Sequence, residues 1–245
     1  MRTLLLAHDT VGLEIAEFLL TRYGDDIAAV VTTEEDDISA LARAHSVKTL
    51  VYQSADGVAD ALNQPLDVGI LAWWPKIIPS ELIAIPARGF VNTHPSLLPQ
   101  NRGKHTSFWA IVEEAPFGAT VHSVDSGIDS GGVITQREIS YDWCDTAKDL
   151  HCKAKAVSAA LFKEVYPELR AGPIAARPQP FGDGSYHRSS EINTASRIDL
   201  DRAYTGREFL NLLRARTYPG FPGCRFQDAG ETYEVTVTIR KVDDK

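Results

Sequence analysis

Over roughly the first 95 residues, short apolar runs alternate with stretches of helical period, and this alternation restricts the available architectures more than any other property of the chain. Arg2–Ala7 is a Leu-rich run. Thr10–Arg22 follows with Val11, Ile15, Phe18 and Leu19 on one helical face. The pattern then repeats. Ile27–Thr33 reads as a buried strand, the stretch "DDISALARAHS" as a helix with Asp36 available as its cap, and "KTLVY" as a third strand. A polar helix near Ala55–Asn63 leads to a fourth strand over Leu66–Trp74 and a fifth in "GFVNTH". The expected fold class is therefore α/β, a Rossmann-like, mostly parallel sheet flanked by helices, in which ligands gather beyond the carboxyl ends of the strands.

Downstream, "SFWAIVEE" reads as a helix and "GATVHSVD" and "GGVITQREIS" as strands. Asp145–Arg170 carries Leu150, Ala154, Val157, Leu161 and Val165 at helical spacing, ended by Gly172-Pro173. Residues 175–196 are rich in Pro, Gly, Ser and Arg and read as a linker. A small unit follows, a helix in "GREFLNLLRART" and a β-hairpin turning near Ala229-Gly230. The expected organisation is a catalytic domain over 1–175, a linker over 176–196 and a helix-plus-hairpin unit over 197–245.

No apolar run approaches the roughly 20 residues that span a bilayer, and the start "MRTLLLAHDTVG" lacks the centre and cleavage site of a signal peptide, so no membrane partner and a cytoplasmic location are expected. A formal charge of -8 disfavours non-specific attraction to nucleic acid. Cys144, Cys152 and Cys224 have neither the spacing of a metal or redox pair nor the even number of a disulfide framework, and are expected to be inert or half-buried thiols.

The stretch "FVNTHPSLLPQNRG" places Asn92 and His94 two residues apart on an extended segment, hence on one face, where an amide donor and an imidazole together can polarise a carbonyl and move a proton. An orienting carboxylate is available from "HSVDSGIDSGG", as either Asp125 or Asp129. His122, on the preceding strand, reads equally as a core histidine or a participant. Of the adjacent Trp73 and Trp74, only one can face a ligand. Arg214 and Arg216 read as surface charges.

The Asn-x-His-x-Ser-Leu-Leu-Pro run from Asn92 to Pro99, followed by Arg102-Gly103, by Gly118–His122 and by Asp129 before Ser-Gly-Gly, resembles the 10-formyltetrahydrofolate-dependent formyltransferases. The resemblance implies Asn92, His94 and Asp129 as catalytic residues, N10-formyltetrahydrofolate as co-substrate, and no metal. It also implies a folate pocket from Lys76, Ile77, Ile78 and Pro79, from Leu97, and from the loop bearing Asp125, Ser126 and Ile128.

For the acceptor, the turn after the first strand has one glycine, Gly12, where the glycinamide-ribonucleotide enzymes carry a glycine-rich phosphate loop. The part from Pro173 onward holds 11 Lys/Arg against 10 Asp/Glu, where methionyl-tRNA enzymes carry a basic barrel. Hydrolases of the family carry an additional N-terminal regulatory domain, whereas this chain begins at once with strand one. The phrases "RGKHTSFWAI" and "RIDLDRAYTGREFLNLLRARTYPGFPGCRF" are instead similar to N-formyltransferases of nucleotide-linked amino deoxysugars. That subgroup implies a dTDP- or GDP-linked amino sugar such as dTDP-4-amino-4,6-dideoxyglucose, a place in lipopolysaccharide O-antigen synthesis, and a homodimer. By position, His8, Asp9 and Thr10 at the first turn and Arg102, Gly103, Lys104 and His105 after the fifth strand are the expected acceptor contacts.

Overall fold

A computed structural model of the chain describes residues 1–62, 64–173, 175–180, 182 and 184–242. Asn63, at the end of the expected third helix, and residues 243–245 of the expected C-terminal unit lie outside the described residues. The chain divides into two compact units, each assembled from three separate segments.

The first unit comprises residues 1–94, 120–136 and 156–179. Its strands and helices alternate as β1 (Thr3–Ala7), α1 (Asp9–Tyr23), β2 (Ile27–Thr32), α2 (Asp37–Ala44), β3 (Thr49–Val51), α3 (Ala55–Ala61), β4 (Val68–Ala72), α4 (Ser80–Ile83) and β5 (Phe90–His94). With β7 (Gly118–Ser123) and β8 (Val133–Glu138) these strands form one sheet in the order β3-β2-β1-β4-β5-β7-β8. The first five pair in parallel; β7 runs antiparallel to β5. β1 and β4 are buried along their whole length, which explains why their sequences read as continuous apolar runs and not as alternating ones. Leu4, Leu6, Val31, Leu71, Trp74, Leu82 and Phe90 share one core cluster, so Trp74 is the core member of the tryptophan pair.

Helix ends follow local chemistry. Asp36 caps α2 by accepting from Ser39 N at 2.9 Å, while the Ser39 hydroxyl accepts from Asp36 N at 3.0 Å. The long helix α6 (Ala147–Ala171) contributes residues 156–171 to this unit and stops directly before Gly172-Pro173. Near its end Arg170 donates to the buried Asp26 at 2.5 Å, and although burial alone would raise the Asp26 pKa, this pairing holds it below the usual range.

The second unit comprises residues 95–119, 137–155 and 180–245. It contains β6 (Arg102–Gly103), α5 (Thr106–Val112), β9 (Tyr186–His187), α7 (Glu191–Ala195), α8 (Gly206–Arg216), β10 (Cys224–Asp228) and β11 (Glu231–Val235). The hairpin β10–β11 turns through Ala229 and Gly230 at φ 47° and 85°, the left-handed pair that a two-residue hairpin turn requires. The stretch expected to be a linker carries structure of its own. β9 pairs in parallel with β6, and the buried His187 stacks on Trp109 at 3.8 Å with its Nε2 2.9 Å from Glu113. Pro and Gly content signalled a loop there, but backbone pairing and one aromatic stack order it.

Two further expectations need correction. Arg214 is not a surface charge: it is buried, donating to the carbonyls of Asp142 at 2.6 Å and Asp145 at 2.9 Å and lying 4.9 Å from the Trp143 ring centre. Of the cysteines, Cys144 and Cys152 are exposed, and only Cys224 is buried, its thiol pushed up to about 12 by desolvation.

Candidate active site

The site grows from the β5–β7 pairing. Asn92 and His94 leave the same face of β5, and the antiparallel register sets Asn92 directly opposite His122. After β7 the chain turns through residues 125–131, where the Asp125 carboxylate accepts from Gly127 N at 3.0 Å and from the Ser130 hydroxyl at 2.6 Å. Asp125 is therefore committed to its own turn. Asp129, at φ 50°, points its carboxylate at both imidazoles: Oδ2 lies 3.5 Å from His94 Nδ1 and Oδ1 lies 3.7 Å from His122 Nε2. Gly131 is required for this path, since a Cβ there would sit 1.7 Å from the Ser123 carbonyl oxygen.

His122 is 2% exposed, and desolvation pushes its pKa down to about 4 even though Asp129 opposes the shift; neighbouring His94 adds to it. Its Nδ1 lies 2.8 Å from the Ser123 carbonyl oxygen, which can only accept, so Nδ1 carries the proton and neutral Nε2 is a bare acceptor. Asn92 Nδ2, 3.2 Å away, must then be the donor. The amide of Asn92 is thereby fixed with its NH2 toward His122 and a second N–H left for a ligand. Sequence reasoning left His122 undecided; the structure makes it the group that orients Asn92. Its signal was the cross-strand register, which a single strand pattern does not carry.

The site brings together Asn92, His94 and Asp129, with Asp125, Ser126 and Ile128 on the same loop. The segment after β4 places Lys76 over the Tyr52 ring at 5.2 Å, buries Ile78 and leaves Ile77 77% exposed, with Pro79 capping α4. At the first turn His8 caps α1 and its Nδ1 lies 3.1 Å from the Thr33 hydroxyl, while Asp9 adopts φ 60° and Thr10 is exposed. Leu97, Arg102, Gly103, Lys104 and His105 belong to the second unit. There Arg102 and Lys104 donate their backbone N–H groups to Ser185 and His187, each at 3.0 Å, and His105 adopts φ 58°. Among the described residues no group of His, Cys, Asp and Glu is placed to hold a metal ion, and no helix is long and apolar enough to cross a membrane.

An amide and an imidazole at the carboxyl end of a parallel strand, faced by a carboxylate from the loop after β7, are groups able to polarise a carbonyl and move a proton, set on a doubly wound α/β sheet. The chain belongs to the formyl transferase family, whose model matches residues 22–166; a second model, the N-formyltransferase dimerization C-terminal domain, matches residues 191–241. It is 33% identical over 159 residues to a methionyl-tRNA formyltransferase of Thermodesulfovibrio yellowstonii, covering 62% of this chain and 48% of that protein. The chain thus spans about half the length of that curated relative. The crystal structure of a likely sugar N-formyltransferase from Mycobacterium tuberculosis superposes with a TM-score of 0.83 at 25% identity, covering 99% of each chain. The formyltransferase PseJ from Anoxybacillus kamchatkensis, solved with UDP-4,6-dideoxy-4-formamido-L-AltNAc and tetrahydrofolate, gives 0.60 at 26% identity over 87% of this chain and 98% of that one.

Proposed function

We propose that the protein is an N-formyltransferase that moves a formyl group from N10-formyltetrahydrofolate to the primary amine of a nucleotide-linked amino deoxysugar. The observation that carries this reading is the convergence of Asn92, His94 and Asp129 on one strand end. Likeness over nearly the whole chain to a likely sugar N-formyltransferase supports the acceptor class, and the folate and nucleotide sugar held by PseJ support both substrates.

In this reading the neutral amine attacks the formyl carbon, and the second N–H of Asn92 together with protonated His94 stabilises the oxyanion. Asp129 holds the imidazole and helps to take the amine proton, directly or through water. Collapse of the intermediate breaks the bond between the formyl carbon and N10, the proton passes to N10, and a formamide and tetrahydrofolate remain. The segment Lys76–Pro79 and the Asp125–Asp129 loop receive the folate, with Leu97 lining the pterin pocket. The turn of His8, Asp9 and Thr10 that opens the 15-residue α1 meets the oxygens of the nucleotide. Arg102, Gly103, Lys104 and His105 serve the sugar or diphosphate. A homodimer joined through the C-terminal unit and a cytoplasmic role in surface-polysaccharide synthesis complete the reading.

The test is formyl transfer to a panel of dTDP-, GDP- and UDP-linked amino sugars, glycinamide ribonucleotide and methionyl-tRNA, read as mass gain on the acceptor. Gain on a nucleotide sugar is expected. Gain on methionyl-tRNA alone would move the protein to the activity of its curated relative, and formate release with no acceptor gain would make it a hydrolase. His94→Asn and Asp129→Ala are each expected to lower kcat by at least about a hundredfold with the melting temperature nearly unchanged.

A further inference from the structure

The loop that carries Asp129 is bonded from outside by the side chain of Gln179. Its Nε2 donates to the Asp129 carbonyl oxygen at 2.8 Å and to the Gly131 carbonyl oxygen at 2.6 Å, across 50 and 48 residues of sequence. Gln179 is buried in an otherwise exposed Pro-flanked segment. Just before it, Arg177 exchanges both backbone hydrogen bonds with Val133, at 2.7 and 2.8 Å, so the segment is clamped to the start of β8.

Both protons of the amide nitrogen are consumed, whereas its Oε1 is buried with no hydrogen-bond partner among the described residues. The orientation is therefore not interchangeable: flipped, the amide oxygen would face two carbonyl oxygens. A neutral double donor is the chemistry the position demands. A lysine could also donate twice, but would add a positive charge beside the carboxylate that faces His94. The two acceptors flank the residue whose φ of 50° aims its carboxylate at the imidazoles, a backbone state that persists only when its surroundings hold it.

We infer that Gln179 is a positioning residue for formyl transfer, a latch that fixes the Asp129 loop by bonding the carbonyls of Asp129 and Gly131. The inference rests on the catalytic reading of Asp129 above. It predicts coupling: the loss caused by removing Gln179 passes through Asp129 and through no other route.

The experiment is a double-mutant cycle on the full chain with Gln179→Leu, Asp129→Ala and their combination, measuring kcat and both KM values by formyl transfer. Gln179→Leu is expected to lower kcat roughly tenfold to a hundredfold with KM changed no more than about threefold, and the combined variant to be no slower than Asp129→Ala. Hydrogen exchange of the amides in 125–131 is expected to accelerate at least about tenfold in Gln179→Leu. A full-rate Gln179→Leu, losses that multiply in the double variant, or unchanged loop exchange would each overturn the latch. If Asp129→Ala retains full transfer, the catalytic reading itself fails, and the exchange measurement still decides whether the loop is held. Should Gln179→Leu not yield folded protein, Gln179→Met, unbranched and equally unable to donate, carries the same cycle.

Discussion

At the scale of single residues, the imidazole of His122 does two things that pull on the same proton inventory. It accepts from Asn92 only while neutral, and burial keeps it neutral by pushing its pKa down to about 4 from an ordinary 6.5. The unfolded chain takes up a proton near pH 6.5 that the folded chain refuses, so stability is fully present above that pH and is lost as pH falls toward 4. The loss at this one site is on the order of 3 kcal/mol. His122→Gln, whose amide oxygen can still accept from Asn92, is expected to keep most turnover while flattening the stability curve between pH 6.5 and 4, measured by denaturant unfolding across that range. His122→Phe should flatten the same curve but lower kcat at least tenfold, because Asn92 loses its partner. Residue type and spacing place Asn92 and His94 on one face of a strand, whereas the choice of Asp129 over Asp125 comes only with the family resemblance. His122 and Gln179 act through partners far along the chain, 30 residues for one and 50 for the other, and no local pattern encodes that.

At the scale of elements, α8 shows how a polar residue can hide inside a periodic helix. Its sequence places Arg214 among apolar neighbours, and a long cation at such a position is ordinarily read as reaching solvent. The guanidinium instead satisfies two carbonyls before α6, bonds Asn211 at 2.9 Å and packs on Trp143, doing the work of a cap for a segment that has no strand or helix of its own. Arg214→Lys is expected to lose about 2–3 kcal/mol, close to the loss from Arg214→Ala, since a single ammonium cannot reproduce the planar fork; thermal unfolding of the two variants measures this. The strands of the first unit were readable because burial on both faces leaves unbroken apolar runs. β6 and β9, two residues each, were not: strands that short carry no periodicity, and only their mutual pairing defines them.

At the scale of the whole molecule, the two units are each stitched from three stretches of chain, so the boundary between them is crossed repeatedly in sequence. A division into consecutive blocks is what composition suggests, because composition shifts mark loops and cannot register a chain that leaves a unit and returns. The hairpin of the second unit leaves Tyr233 exposed and stacked on Phe226 at 5.1 Å, within the region matched by the dimerization domain. If that hairpin joins two copies, Tyr233→Glu should shift the protein toward monomer in sedimentation velocity at micromolar concentration while each chain stays folded; an unchanged mass would place the contact elsewhere. The latch at Gln179 also has a meaning in time. Asn92 and His94 leave the ribosome early, and the Asp129 loop soon after, but the residue that pins the loop is made 50 residues later, roughly 3–10 s at ordinary elongation rates. During that interval the nascent chain carries Asn92, His94 and Asp129 yet lacks the bonds from Gln179 that hold the Asp129 loop. If Gln179 is the latch, competence arrives as a late event of synthesis.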